Sequence, residues 1–112
     1  MKKILIVEDD VDIHNLIKDI LKKERYDVIS AYSGTEAILL IEKNNVDLIL
    51  LDLMLPGLSG EELIRKIKDI PIIVLSAKVS SEDKVNVLSN GANDYITKPF
   101  DANELLARIK VQ

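Results

Sequence analysis

Val46-Asp47-Leu48-Ile49-Leu50-Leu51-Asp52 runs straight into Leu53-Met54-Leu55-Pro56-Gly57, so a short apolar stretch ends in an acid and the chain turns at once. A strand with no polar alternation reads as one covered on both faces, the arrangement of a parallel sheet between two layers of helices. Asp52 then stands where that strand emerges from cover. The first apolar run behaves the same way, because Ile4-Leu5-Ile6-Val7 stops at Glu8-Asp9-Asp10. Carboxylates from two strand ends are thereby brought towards one sheet edge. Such groups rarely cluster beside a core without a metal or some chemistry to offset the loss of hydration.

Working outward, short apolar runs at residues 3–7, 28–31, 47–51, 71–76 and 94–96 predict five strands, and helical patterns fill the intervals. Over residues 11–24 the positions Ile13, Leu16, Ile17, Ile20 and Leu21 recur at helical spacing with Lys and Glu opposite, which predicts an amphipathic helix lying on the sheet. Ser33-Gly34-Thr35-Glu36, Ser59-Gly60-Glu61-Glu62 and Asp101-Ala102-Asn103-Glu104 each set a capping side chain three residues before Glu, the reciprocal cap of a helix start. A further helix is expected to begin near Ser80-Ser81-Glu82-Asp83 and to stop before Gly91. Strict alternation implies right-handed crossovers and a three-layer α/β/α sandwich on a five-stranded parallel sheet. Ligands of such sheets bind beyond the carboxyl ends of the strands, where strand order reverses, commonly between the first and third. Glu8, Asp9 and Asp52 fall at that place.

Composition narrows the function. A chain of 112 residues with 47% hydrophobic content suits one domain, residues 1–112. A net charge of -4 argues against a stand-alone nucleic-acid binder, whose phosphate contacts call for a basic face, and favours cationic partners or metals. The absence of cysteine excludes disulfides and thiolate metal sites, and points to a cytoplasmic protein. Met1-Lys2-Lys3 precedes only four apolar residues, too few for a signal-peptide core, and no run approaches a membrane span; a soluble protein without membrane partners is expected.

Two or three neighbouring carboxylates repel unless a cation neutralises them, and a hard divalent ion such as magnesium is the natural partner for oxygen ligands. A site of that kind also attracts phosphoryl groups. Acids additionally favour helix N-termini through the dipole, a reading that suits Asp10 best. The fifth strand ends in Tyr95-Ile96-Thr97-Lys98-Pro99-Phe100, which puts an ammonium at the same edge, suited to holding a phosphoryl oxygen. The fourth ends in Ser76-Ala77, whose hydroxyl either donates to such an oxygen or is simply a turn residue.

Taken together, Ile4 to Asp10, Asp47 to Gly57, Val74-Leu75-Ser76-Ala77 and Gly91 to Phe100 resemble, in order and spacing over the whole chain, the receiver domain of bacterial two-component response regulators. The resemblance implies a flavodoxin-like (βα)5 fold. It also implies that Asp52 is the phosphoacceptor, forming an aspartyl phosphate from a phosphohistidine of a sensor histidine kinase. Glu8 and Asp9 become the acidic pair, with Mg2+ held by Asp9, Asp52 and the Met54 backbone carbonyl and by Glu8 through water. Lys98 would contact the phosphoryl group, and Ser76 would be the switch hydroxyl. Tyr95 would follow Ser76, where the plain alternative is a half-exposed strand aromatic. The Lys98-Pro99 bond would be cis. By the same resemblance the domain is no classical enzyme but a phosphoacceptor that assists its own phosphorylation and dephosphorylation. Met54 and Lys78 flank the site and are candidates for tuning hydrolysis.

Lys84, Asp94, Glu104, Arg108 and Lys110 are expected to gather on the face of the fourth helix, fifth strand and fifth helix, with apolar Val85 and Leu88 beside them. The plain reading is a solvated surface. They also resemble the salt-bridging set of the OmpR/PhoB-type subfamily, which implies a homodimer strengthened by phosphorylation, although Asn93 stands where an acid is common. That subfamily acts on DNA through a winged-helix domain, and no output domain is read in this chain. The final helix reads as a turn or two short, which favours an excised receiver. The connection Lys66-Ile67-Lys68-Asp69-Ile70-Pro71 is shorter than is usual in the family. His14, the sole histidine, is expected to be a solvated helix residue.

Rival readings separate on single positions. A flavodoxin-like electron carrier needs a phosphate loop after its first strand, where Glu8-Asp9-Asp10 would repel phosphate. A phosphatase of the haloacid dehalogenase type needs a second acid two residues after its nucleophile, where this chain has Met54. A phosphorylation-independent binding module on the same fold would not need magnesium.

Overall fold

The structure is a computed structural model that describes residues 2–56, 58–77 and 81–112, so Gly57 of the predicted turn, Lys78 and Ser80 lie outside the described residues. Among the described residues ten elements alternate: β1 (Lys3–Val7), α1 (Val11–Lys23), β2 (Asp27–Ala31), α2 (Gly34–Lys43), β3 (Leu48–Asp52), α3 (Gly60–Lys66), β4 (Ile72–Ser76), α4 (Ser81–Ser89), β5 (Asp94–Thr97) and α5 (Ala102–Val111). The strands form one parallel sheet in the order β2-β1-β3-β4-β5. The chain therefore winds outward from β1 to β2, crosses back to β3, and continues the other way, so order reverses between β1 and β3 as expected.

Alternating side chains explain why the strands are apolar throughout. Leu5, Val7, Ile49, Leu51, Ile72 and Val74 point to one face and pack with Ala37, Leu63, Ile64 and Val87 of α2, α3 and α4. Ile4, Ile6, Leu48, Leu50, Ile73 and Leu75 point to the other and pack with Ile17 and Leu21 of α1 and Leu105 and Ile109 of α5. Each buried Leu or Ile contributes about 1.5–3 kcal/mol, and two such layers supply the core that fixes the strand ends.

Local signals set most boundaries. Asp10 caps α1 by accepting from the Ile13 N–H at 3.0 Å, and Ser33 and Ser59 cap α2 and α3 through Glu36 and Glu62. The return halves of the boxes differ from expectation. Glu36 accepts from the Tyr32 N–H, and the Glu62 carboxylate meets the Ser59 hydroxyl. Asp101 caps α5 by accepting from the Asn103 N–H rather than that of Glu104, and the Glu104 carboxylate meets Arg108 one turn on. Gly91 has φ 119°, in the left-handed region expected where the chain leaves α4. No described helix is long and apolar enough to cross a membrane.

Candidate functional site

Four strand ends deliver the site. Glu8 follows β1, Asp52 closes β3, Ser76 closes β4 and Lys98 follows β5. Glu8 is 2% exposed, Asp52 8% and Ser76 0%, whereas Asp9 lies open to solvent. One oxygen from each of Glu8, Asp9 and Asp52 lies within 4.8 Å of the others. The Lys98 ammonium spans the buried pair, 2.7 Å from Glu8 Oε1 and 3.3 Å from Asp52 Oδ2. Its backbone N–H donates to the Ser76 carbonyl at 2.8 Å, tying the lysine to the end of β4, and the Lys98-Pro99 bond is cis.

One ammonium between two buried carboxylates leaves negative charge uncompensated. Burial chiefly, with the Asp52 carboxylate adding to it and Lys98 opposing, pushes the Glu8 carboxyl up to about 7. Burial alone would weaken the Lys98 ammonium, but its hydrogen bond to Glu8 and the attraction of Asp52 outweigh that and raise its proton affinity. The buried carboxylates thus outnumber the one ammonium that faces them, an arrangement that favours a bound cation. Among the described residues the cluster holds three carboxylates and no His or Cys, matching the preference of a hard ion such as magnesium, which keeps several waters and needs few protein ligands. Met54 donates its N–H to Asp52 Oδ1 at 3.2 Å, so the turn after β3 folds back against the acid; the Met54 side chain is exposed.

Residues 4–110 match the response regulator receiver domain family. The chain belongs to that family. Its backbone superimposes on the receiver domain of the Francisella response regulator 1452 with a TM-score of 0.95 at 37% identity, covering 99% of this chain and 95% of that one. A two-component response regulator from Clostridium difficile gives 0.95 at 32% identity, covering 99% and 94%. The chemotaxis protein CheY4 of Vibrio cholerae gives 0.93 at 29% identity, covering 99% and 98%. Five parallel strands with five helices are the flavodoxin-like fold of such domains, and membership implies two-component signalling with a histidine kinase partner. Receiver domains have an acidic pocket that typically binds magnesium, and Glu8, Asp9 and Asp52 form such a cluster here.

The remaining sequence-predicted residues fall in two places. Tyr95 on β5 is 7% exposed, packed into the core rather than half-exposed, with the Lys84 ammonium 5.7 Å from its ring centre. Arg108 Nη1 donates to both carboxylate oxygens of Asp94, at 2.8 and 3.0 Å, and Nη2 reaches Glu104 at 3.4 Å; the bonds to Asp94 foremost hold the guanidinium charged. Lys110, Val85 and Leu88 are exposed. Asn93 is exposed and exchanges two hydrogen bonds with the Ile72 backbone at the start of β4.

His14 corrects the sequence reading. It is fully buried, and its Nδ1 lies 2.9 Å from the Glu8 carbonyl oxygen, against the site. Positions 14, 17 and 21 are the buried stripe of α1, while Leu16, assigned to the apolar face, is 54% exposed. Spacing alone carried the signal, since 14 lies three residues before 17 and seven before 21. The polarity of histidine concealed it.

Proposed function

We propose that residues 1–112 form one receiver domain, which accepts a phosphoryl group on Asp52 from a phosphohistidine of a sensor histidine kinase in a magnesium-dependent transfer. The observation carrying this reading is the setting of Asp52, nearly buried at a strand end, 3.3 Å from an ammonium and clustered with two further acids. An Asp52 carboxylate oxygen attacks phosphorus, an O–P bond forms as the P–N bond breaks, and the imidazole leaves with the electron pair. Attack of water on the aspartyl phosphate later releases inorganic phosphate and restores the carboxylate. Asp9, Asp52 and the Met54 carbonyl would hold magnesium directly, and Glu8 through water. When bound, the ion supplies positive charge for the phosphoryl oxygens. Lys98 is already poised at Asp52 and exchanges part of its contact with the acids for a phosphoryl oxygen. The domain is thus a phosphoacceptor with its own catalytic groups rather than a classical enzyme.

Ser76, buried at the end of β4 and joined to Lys98 through the backbone, is the switch hydroxyl, and Tyr95 on the adjoining strand follows it. The Asp94–Arg108–Glu104 network with Lys84 and Lys110 supports an OmpR/PhoB-type dimer face on α4, β5 and α5. Output on DNA would then pass through a separate DNA-binding domain, for transcription control in the cytoplasm.

Intact-mass analysis after incubation with acetyl phosphate tests the central step. One added phosphoryl group is expected only with magnesium, and none in Asp52→Ala. An adduct that survives Asp52→Ala refutes the assignment. If wild type shows neither an adduct nor beryllofluoride binding, the fold serves instead as a phosphorylation-independent binding module.

A further inference from the structure

The backbone of Glu8 is held from both sides. Its N–H donates to the Ala31 carbonyl at 3.1 Å, and its carbonyl lies 2.9 Å from His14 Nδ1. A carbonyl only accepts, so Nδ1 carries a hydrogen. The imidazole is fully buried and stacks on Tyr32, with ring centres 4.2 Å apart and planes 17° from parallel, while its Nε2 has no partner among the described residues. Burying a ring nitrogen without a partner is unfavourable, so the Nδ1 contact and the stack are what keep the ring there. The stack also joins α1 to the β2–α2 turn, and both flank the exit of β1. The adjoining Asp10 is anchored to the same turn of helix, accepting from the His14 N–H at 2.9 Å and donating its own to Glu8 Oε2 at 3.3 Å.

We propose that His14 is a positioning residue for the acidic pocket: its Nδ1–H clamps the Glu8 carbonyl and so sets Glu8 and Asp9 for a divalent cation. This rests on the reading of the pocket given above. Groups that orient ligands from behind typically change metal affinity by 10–100-fold when removed. Leucine keeps the apolar bulk and loses the donor, whereas asparagine places an amide N–H near the position of Nδ1. Magnesium titrations by calorimetry are therefore expected to show binding about tenfold weaker in His14→Leu and within about threefold of wild type in His14→Asn.

Because His14 is the sole histidine, its ring nitrogens give one unambiguous set of NMR signals in metal-free wild type, independent of whether any variant folds. The Nδ1–H form is expected, and its signal should move on adding magnesium. An Nε2–H tautomer overturns the proposal. So does wild-type affinity in His14→Leu, or equal weakening in the Leu and Asn variants, which would mean packing alone. If wild type fails to bind magnesium, the pocket reading falls and takes the proposal with it; normal wild-type binding with an indifferent Leu variant removes only the role of His14.

Discussion

Glu8 is the residue at which burial and charge conflict most directly. It faces the Lys98 ammonium from the end of β5, the Asp52 carboxylate from β3, its neighbour Asp9, and the Asp10 N–H at the start of α1, while His14 holds its carbonyl. Its folded proton affinity, about 7, lies above the 4.5 of an ordinary glutamate. Protonated Glu8 therefore favours the folded state fully below pH 4.5, and that contribution is lost as pH rises through about 7. Urea unfolding in EDTA is expected to show stability falling by roughly 3 kcal/mol across that window, with Glu8→Gln nearly flat over it. Magnesium should restore stability at the alkaline end, since it pairs with the carboxylate that the proton leaves. A wild-type profile as flat as that of Glu8→Gln would contradict this account.

Gly60 makes a second prediction at the same scale. A Cβ there would lie 2.6 Å from the Leu53 Cα and 3.1 Å from the Asp52 carbonyl oxygen, and backbone has little room to yield. Gly60→Ala should push α3 away from the end of β3, destabilising the fold by about 1–3 kcal/mol and slowing phosphorylation of Asp52. Urea midpoints and the rate of adduct formation report the two effects. An unchanged midpoint would mean that α3 tolerates the shift.

Among the elements, α1 shows how local chemistry and packing divide the work. Asp10 starts it, and a Schellman arrangement ends it: the Tyr26 N–H bonds to the Leu21 carbonyl, the Arg25 N–H to the Lys22 carbonyl, and Arg25 takes φ 65°. That left-handed position suits glycine and strains any side chain. Arg25→Gly is expected to stabilise the domain by about 0.5–1 kcal/mol, the relief exceeding the extra freedom glycine gives the unfolded chain. Thermal melting checks the sign. Leu50, on the sheet face that α1 and α5 cover, bears the opposite prediction: Leu50→Ala should cost about 2–5 kcal/mol by leaving a cavity in that layer.

Across the whole molecule, the face of α4, β5 and α5 is already organised in the single chain by Arg108 bridging Asp94 and Glu104. Each exposed ion pair contributes about 0–1 kcal/mol, so these charges set orientation while Val85 and Leu88 would supply the burial. Sedimentation velocity should find mostly monomer in the unmodified protein and a dimer fraction with beryllofluoride, reduced by Arg108→Glu. Monomer alone under both conditions would remove the dimer from the proposal.

By itself the sequence determined the alternation of elements, the parallel sheet and the site at its carboxyl edge. Apolar periodicity and capping act over a few residues, and each strand end carries its own chemical group: Glu8, Asp52, Ser76 and Lys98. The convergence of Lys98 on Glu8 and Asp52, from 90 and 46 residues away along the chain, needed the crossover of β2 to β3 to put β1 and β3 side by side. Packing overrode the local polarity rule at His14, which the Glu8 carbonyl and the Tyr32 ring hold inside. A histidine looks polar to any local rule, yet the Glu8 carbonyl at the exit of β1 and the stacked Tyr32 ring satisfy enough of it for burial. Only the tertiary structure supplies those partners.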